Sequence, residues 1–453
     1  MRKTTVLLFI CVMGLMVVAG CRYTDKPDVS KENDFSLKVM YWSERQFHDQ
    51  FGRFYRSEFP NATFEIVEIP FLNRQHVSGS YLDTYLGIIE KEKPDIIFTF
   101  SDKLLEHVLN NNWIVPLDDY IAADGYSLET YHQAILDHIR KVGNGKIYGL
   151  SPTYDSMVLY YNKSLFDQYG IPYPEDFMTW QEILQVAERF SGDEPGFYWN
   201  ENAAPYDLIR YFGAVEGLSM LSGHPGQERI VLNTESWKEI LEFVVNGIRS
   251  GAIRYKNVYG GHMTSDDLLS GQNLYLDGAA AMTVDWYGLS YILSNNELLN
   301  HKFDWGMVAG PVSERNPSAT QHLMINNLFS IYAKSQVKDQ AWSFIKFINS
   351  DQFAQLQPYQ PSMLMARNLE RNTKVDPAVF TRLELMKNEA LFETLRLPGG
   401  FMGHFEALLD EQIRMLVNGE QSIEEALSWI EQQGTAYLLT ADDKIFEFEE
   451  IQN

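Results

Sequence analysis

The chain has 453 residues, too many for one ordinary hydrophobic core and enough for two large lobes. With 45% hydrophobic and 22% charged residues it has the composition of a globular protein, which excludes a disordered chain. A formal net charge of −24 argues against a nucleic-acid surface, which needs clustered lysine and arginine to neutralise phosphates.

At the N-terminus, Arg2 and Lys3 precede an apolar run from Val6 to Val18, followed by Ala19-Gly20-Cys21. A basic segment, an apolar segment and small residues at a cleavage point read as a secretory signal. The run of 13 residues is short of the roughly 20 needed to span a bilayer. Ala-Gly-Cys resembles a bacterial lipobox, in which the cysteine is diacylated and becomes the first mature residue. The expectation is a signal peptide over residues 1–20, lipidation of Cys21 and a polar lipidated tether over 21–34. Cys11 then leaves with the signal and Cys21 is capped, so the mature chain has neither a disulfide nor a cysteine metal site. Loss of Arg2 and Lys3 takes the formal charge from −24 to −26.

Ser36 to Trp42 alternates as a first strand, Gln46 to Phe59 reads as a helix closed by Pro60, and Thr63 to Ile69 alternates as a second strand. Tyr81 to Lys93 is helical, and Pro94-Asp95 opens a third apolar strand, Ile96 to Phe100. This is the βαβ pattern of a parallel sheet, whose ligands sit beyond the carboxyl ends of the strands. Trp42, Ser43 and Glu44, with Ser101, Asp102 and Lys103, are therefore the first candidate site residues. Asn144-Gly145 is a hairpin signal ahead of a β-rich run from Ile147 to Tyr161. Asn162 can cap a short helix, Lys163 to Tyr169, that Gly170 stops; Thr179 and Glu182 form a capping box for a longer one.

Further on, Ser236 to Arg249 is a core-packed helix carrying Trp237. A short strand, Ala279 to Val284, ends in Asp285-Trp286-Tyr287. Asp304 to Pro311 reads as a strand running into a turn, Leu328 to Ala333 as another strand, and Ala341 to Ile348 as a helix. Ser422 and Glu425 are a second capping box. There is no internal repeat.

Aromatics beside carboxylates at strand ends suit a sugar, whose C–H faces take aromatic rings and whose hydroxyls take Asp, Asn or Lys. A glycoside hydrolase would need two carboxylates flanking the scissile bond, and Asp102, Asp155 and Asp285 could be imagined so. Among 61 acidic residues that signal has no specificity. No nucleophile elbow, zinc-protease, phosphate-loop or calcium-loop motif is present in the sequence. His301, His322 and His404 read as isolated surface or packing residues, Trp199 and Phe401 as core. No catalytic residue, metal or cofactor is expected.

The order of these features around Lys146–Gly170 resembles the crossover region of bacterial extracellular solute-binding proteins, family 1, the ligand-capturing subunits of ABC importers. Pro94-Asp95-Ile96-Ile97-Phe98, Tyr161-Asn162-Lys163, Thr179-Trp180, Gly278 to Met282, Asp304-Trp305-Gly306 and Ala341 to Phe347 stand in the family's order. The resemblance implies an α/β clamshell of two lobes, each a mostly parallel sheet flanked by helices, with three crossings between lobes near Ser151–Asp155, Trp305–Pro311 and Phe347–Phe353. It places the N-terminal lobe at residues 35–152 and 306–348 and the C-terminal lobe at 153–305 and 349–453.

By similarity to maltodextrin-binding members, Asp102 and Lys103 would bind sugar hydroxyls, with Thr99 replacing an aromatic platform. Asp155 would supply a second carboxylate, Tyr206 and Trp286 would stack on pyranose rings, and Tyr154 and Asp285 flank them. A last aromatic falls near Phe401 to Phe405. The implied function is carbohydrate capture between the lobes and delivery to membrane permeases, by a monomer anchored to the extracytoplasmic face of the cell membrane. The same clamshell binding another solute, or presenting ligand to a membrane sensor, is the alternative.

Overall fold

The computed structural model describes residues 34–70, 80–190, 194–199, 205–223, 227–255, 273–295, 302–320, 322–325, 327–356, 363–367, 375–386, 395, 397–398 and 401–440. In chain order the strands are β1 (Phe35–Tyr41), β2 (Ala62–Glu68), β3 (Ile96–Thr99), β4 (Thr153–Asn162), β5 (Phe197–Trp199), β6 (Leu221–Ser222), β7 (Arg229–Ile230) and β8 (Ile253–Tyr255). They continue with β9 (Met282–Trp286), β10 (Trp305–Val308), β11 (Ala319–Thr320), β12 (Leu323–Met324), β13 (Leu328–Ile331), β14 (Leu364–Met365) and β15 (Glu384–Leu385).

The first sheet has the order β13-β3-β1-β2, with β1 parallel to β2 and β3 and β13 antiparallel to β3. Every residue of β3 is buried, as expected of a strand covered on both faces. The second sheet, expected to be mostly parallel, is instead mostly antiparallel: along the order β10-β4-β9-β5-β8, β5 is parallel to β8 and β9, while β4 is antiparallel to β9 and β10. β12 and β14 also pair antiparallel with the first residues of β4. This fold is a two-lobed α/β clamshell with one large sheet in each lobe, beside the two-stranded pairs β6-β7 and β11-β15.

The local signals act largely as their chemistry requires. Asn162 accepts from the Leu165 N–H to cap the Lys163–Tyr169 helix, and Gly170 closes it at φ 63°. The Thr179–Glu182 capping box forms, and so does that of Ser422 and Glu425. The helix expected over Gln46 to Phe59 begins at Glu44 and is interrupted by a π turn, His48–Gly52. Asn144-Gly145 does not make a hairpin. It ends the Gln133–Val142 helix with φ 51° and 91°, and the Gly145 N–H donates to the Arg140 carbonyl at 2.7 Å. A helix C-terminus demands positive φ as a type I′ turn does, and Asn-Gly supplies either. The strand that follows starts only at Thr153, after Leu150 has bridged to Phe329 of the first sheet.

Two apolar clusters form the core. One fills the first lobe around Val39, Ile97, Phe98, Phe329 and Phe344, and continues through Tyr154, Val158 and Tyr160 onto one face of the second sheet. The other holds Leu159, Tyr161, Trp199 and Val284 on the opposite face. The alternation along β4 sends successive side chains to the two clusters.

Strand pairing moves two of the expected lobe changes. Residues 305–308 pair with β4, and the Phe177 N–H donates to Ala309 while the Val312 N–H donates to Met178, so the chain stays on the second sheet through β12. It joins the first sheet at Leu328, not at 306. The Asp351–Leu356 helix stays on the first core, where Phe353 packs on Phe51 at 6.0 Å and on Phe347 at 5.7 Å. The chain returns to β4 at Leu364, not at 349. A strand's sequence shows that it pairs, not with which sheet.

Candidate ligand-binding cleft

The carboxyl ends of β1 and β3 form one rim. Trp42 is half-buried there, edge-on to Phe98 at 5.5 Å and tilted against Phe100 at 4.7 Å. Ser43 and Ser101 are N-caps, accepting from the N–H groups of Gln46 and Leu104 at 3.3 Å each, and Ser101 is buried. Glu44 is exposed: its N–H donates to Glu68 Oε1 at 2.9 Å and its carboxylate lies 3.9 Å from His48 Nε2. The Asp102 carboxylate is paired with His138, whose Nε2 lies 2.9 and 2.8 Å from its two oxygens. Lys103 Nζ sits 3.9 Å from Glu106.

A buried hydrogen-bond chain joins this rim to the second sheet. The Tyr41 hydroxyl lies 2.6 Å from Gln50 Oε1 and 3.2 Å from Asn327 Oδ1, and Asn327 Nδ2 donates to Thr153 Oγ1 at 2.8 Å. Alongside, the Ser151 N–H donates to the Tyr131 hydroxyl at 3.0 Å, and that hydroxyl donates to the Ser151 carbonyl. Burial raises the phenol pKa values of Tyr41 and Tyr131, which keeps both as neutral donors.

The second rim lies two residues along β4. Asp155 Oδ1 accepts from the Ser156 N–H at 2.8 Å and from the Tyr287 N–H at 3.4 Å. In the β4–β9 register Asp285 is opposite Val158 and Trp286 opposite Met157. Asp285 Oδ1 accepts from the Trp286 N–H at 2.7 Å, and the Tyr160 hydroxyl donates to the Trp286 carbonyl at 2.9 Å. Asp155, Asp285 and Trp286 are half-buried. The register sets Asp155 and Trp286 on the face of the second core and Asp285 on the face of the first.

Two expected contacts lie deeper. Tyr154 is fully buried, its hydroxyl 3.5 Å from His132 Nε2. Tyr206 is 1% exposed inside the second core, edge-on to Phe405 at 6.5 Å, with its N–H donating to Asp410 Oδ1 at 3.1 Å. A stacking platform needs an open face, which Tyr206 lacks in this conformation. Around it stand groups that sequence reasoning missed. Arg210 Nη2 pairs with Asp207 Oδ1 at 3.3 Å, and burial pushes Glu406 up to about 7 and Asp410 up to about 6. These residues lie about two hundred positions apart in the chain, and no spacing links them. His138 had one signal: it is the polar member of the buried face formed by Ile135, Leu136, Ile139 and Val142.

Trp199, Trp237 and Phe401 are core residues, as read from the sequence. His322 is buried and stacked on Tyr211 at 3.7 Å, and burial holds its pKa down to about 3. His404 stacks on Tyr437 at 3.9 Å, while His301 and Cys21 lie outside the described residues. Among the described residues no group of three or more His, Cys, Asp or Glu could hold a metal ion, and no helix is long and apolar enough to cross a membrane.

Known structures share this architecture. An extracellular solute-binding protein of family 1 from Alicyclobacillus acidocaldarius superposes with a TM-score of 0.62 at 14% identity, over 90% of this chain and 99% of that one. The maltose-bound MalE3 of T. maritima gives 0.55 at 16% identity, over 89% of this chain and 100% of that one. In sequence, a binding protein of Brucella abortus (strain 2308) is 24% identical over 310 residues, covering 60% of this chain and 69% of its own length. The family profile of bacterial extracellular solute-binding proteins matches residues 76–380, and with two-thirds of its length so matched the chain belongs to that family.

Proposed function

We propose that this protein is the carbohydrate-binding component of an ABC importer, closing its lobes on an oligosaccharide and delivering it to membrane permeases. The observation that carries this reading is that half-buried Asp155 and Trp286 share one face at the paired ends of β4 and β9, close in the chain to the Asn327–Thr153 bond, while Trp42 and Asp102 follow the carboxyl ends of β1 and β3. The indole offers a face to a pyranose ring, and the carboxylates offer acceptors to its hydroxyls. Asp155 and Asp285 are oriented by backbone N–H groups, which suits fixed recognition more than proton transfer. The maltose held by the T. maritima relative supports the ligand class. In this reading the two lobes meet at Ser151–Thr153, at Met324–Leu328 and ahead of Leu364, the protein acts as a monomer without enzymatic activity, and a lipid on Cys21 keeps it at the extracytoplasmic face of the membrane.

A thermal-shift screen of the chain from Arg22 onward against mono- and oligosaccharides, spermidine and ferric iron tests this. Ligand that binds only the folded form raises the melting temperature with occupancy. A rise of several degrees with one oligosaccharide series is expected. A shift with spermidine or iron alone would replace the ligand class, and slow breakdown of an oligosaccharide would restore an enzyme. Release of the full-length protein from the membrane fraction by Cys21→Ala is the expected result for the anchor.

A further inference from the structure

Asp102 stands at the first turn of the Asp102–Asn110 helix, and His138 comes from the Gln133–Val142 helix. The His138 side chain is 2% exposed, whereas that of Asp102 is 20% exposed. The Nδ1 atom of His138 is buried and has no hydrogen-bond partner among the described residues. A proton there would be a buried donor left unsatisfied, so the neutral ring carries its proton on Nε2, between the two carboxylate oxygens. An ionised carboxylate has about four acceptor positions, and one shared imidazole proton leaves the others for a second partner. The helix N-terminus favours the charge on the same group.

We propose that His138 is a positioning residue of the cleft, holding the Asp102 carboxylate as a pre-oriented acceptor for a ligand hydroxyl. The proposal rests on the carbohydrate reading and adds to it a residue that does not itself touch the ligand. A short acidic side chain at a rim would otherwise sample several rotamers, and freezing one on binding costs affinity. His138 removes that freedom beforehand, from a position closed to solvent, while its partner keeps access to the cleft.

Calorimetric titration of the full-length protein with a saccharide tests the idea through a double-mutant cycle. His138→Leu is expected to weaken binding about tenfold, whereas in an Asp102→Ala background the same change should alter it by less than about twofold. His138→Gln, whose amide nitrogen can stand where Nε2 stands, should stay within about threefold of the parent, and the shorter His138→Asn should not. The Gln and Asn pair carries the comparison if the leucine variant does not fold. An equal loss with and without Asp102 would make His138 a purely structural residue and overturn the proposal, as would unchanged affinity in His138→Leu. The cycle is run with whichever saccharide of the thermal-shift screen binds the parent best, and a parent inert to every saccharide of that screen would overturn the carbohydrate reading and this inference with it.

Discussion

Trp286 and Tyr206 are aromatic residues that the resemblance to maltodextrin-binding proteins sets against ligand, and burial separates them. Trp286 is half-buried at the edge of the second core, on the face that also carries Asp155, while Tyr206 is 1% exposed inside that core. Trp286→Ala should therefore weaken maltotriose binding roughly tenfold, about 1.4 kcal/mol, and move the melting temperature little. Tyr206→Ala should instead remove about 3–5 kcal/mol of stability, as other buried aromatic truncations do. Titration calorimetry and thermal unfolding of both variants check the pair. Normal stability in Tyr206→Ala would place that ring in the cleft, and collapse of Trp286→Ala would place the indole in the core.

The Pro205–Val215 and Phe401–Asn418 helices bring Asp207, Glu406 and Asp410 together around Arg210. Burial, followed by the Asp207 charge, raises Glu406 from 4.5 to about 7; burial raises Asp410 from 3.8 to about 6. A folded-state pKa above the unfolded one means that the native protein holds the proton more tightly. Stability from these groups is complete below about pH 4 and is lost as pH rises through 6 and 7. His322 acts oppositely: its folded pKa of about 3 lies below 6.5, so stability falls as pH drops below 6.5. His132 and His48, also held below 6.5 by burial, act as His322 does. Glu406 still loses its proton in the folded protein above pH 6.5, so Glu406→Gln should make the melting temperature fall less, or rise more, between pH 6.5 and 8 than that of the parent; an unchanged slope would locate the titration elsewhere.

The lobes are joined through Ser151–Thr153, Asn327 and the segment around Arg367, all of them buried. Arg367 donates to the Asn349 and Ser127 carbonyls at 2.6 and 2.9 Å and lies 5.1 Å over the Tyr126 ring, which fixes the outer strand of the connection to the first lobe. Asn327 is the tie with a foot in each sheet, bonded to Tyr41 and to Thr153. In the proposed function, binding between the lobes selects the closed form. Small-angle scattering should show a smaller radius of gyration at saturating maltotriose. Asn327→Ala should shrink the ligand-free closed population and raise the apparent dissociation constant by the factor by which that population falls. A radius unchanged by saturating ligand would exclude hinge closure.

Much of this molecule was legible in its sequence where the signal is local. The Thr179 and Ser422 capping boxes and the Asn162–Gly170 helix depend on neighbours within four residues, and the structure holds them where they were expected. The order of those elements also pointed to the family. Asn144-Gly145 could end a helix or turn a hairpin, and packing chose the helix end. Only tertiary structure decided that Trp305–Val308 belongs to the second sheet, that Tyr206 is core, and that Asp102 meets His138. Each of these is a contact between distant parts of the chain. Its free energy comes from burial and pairing, which a linear pattern of residue types does not specify.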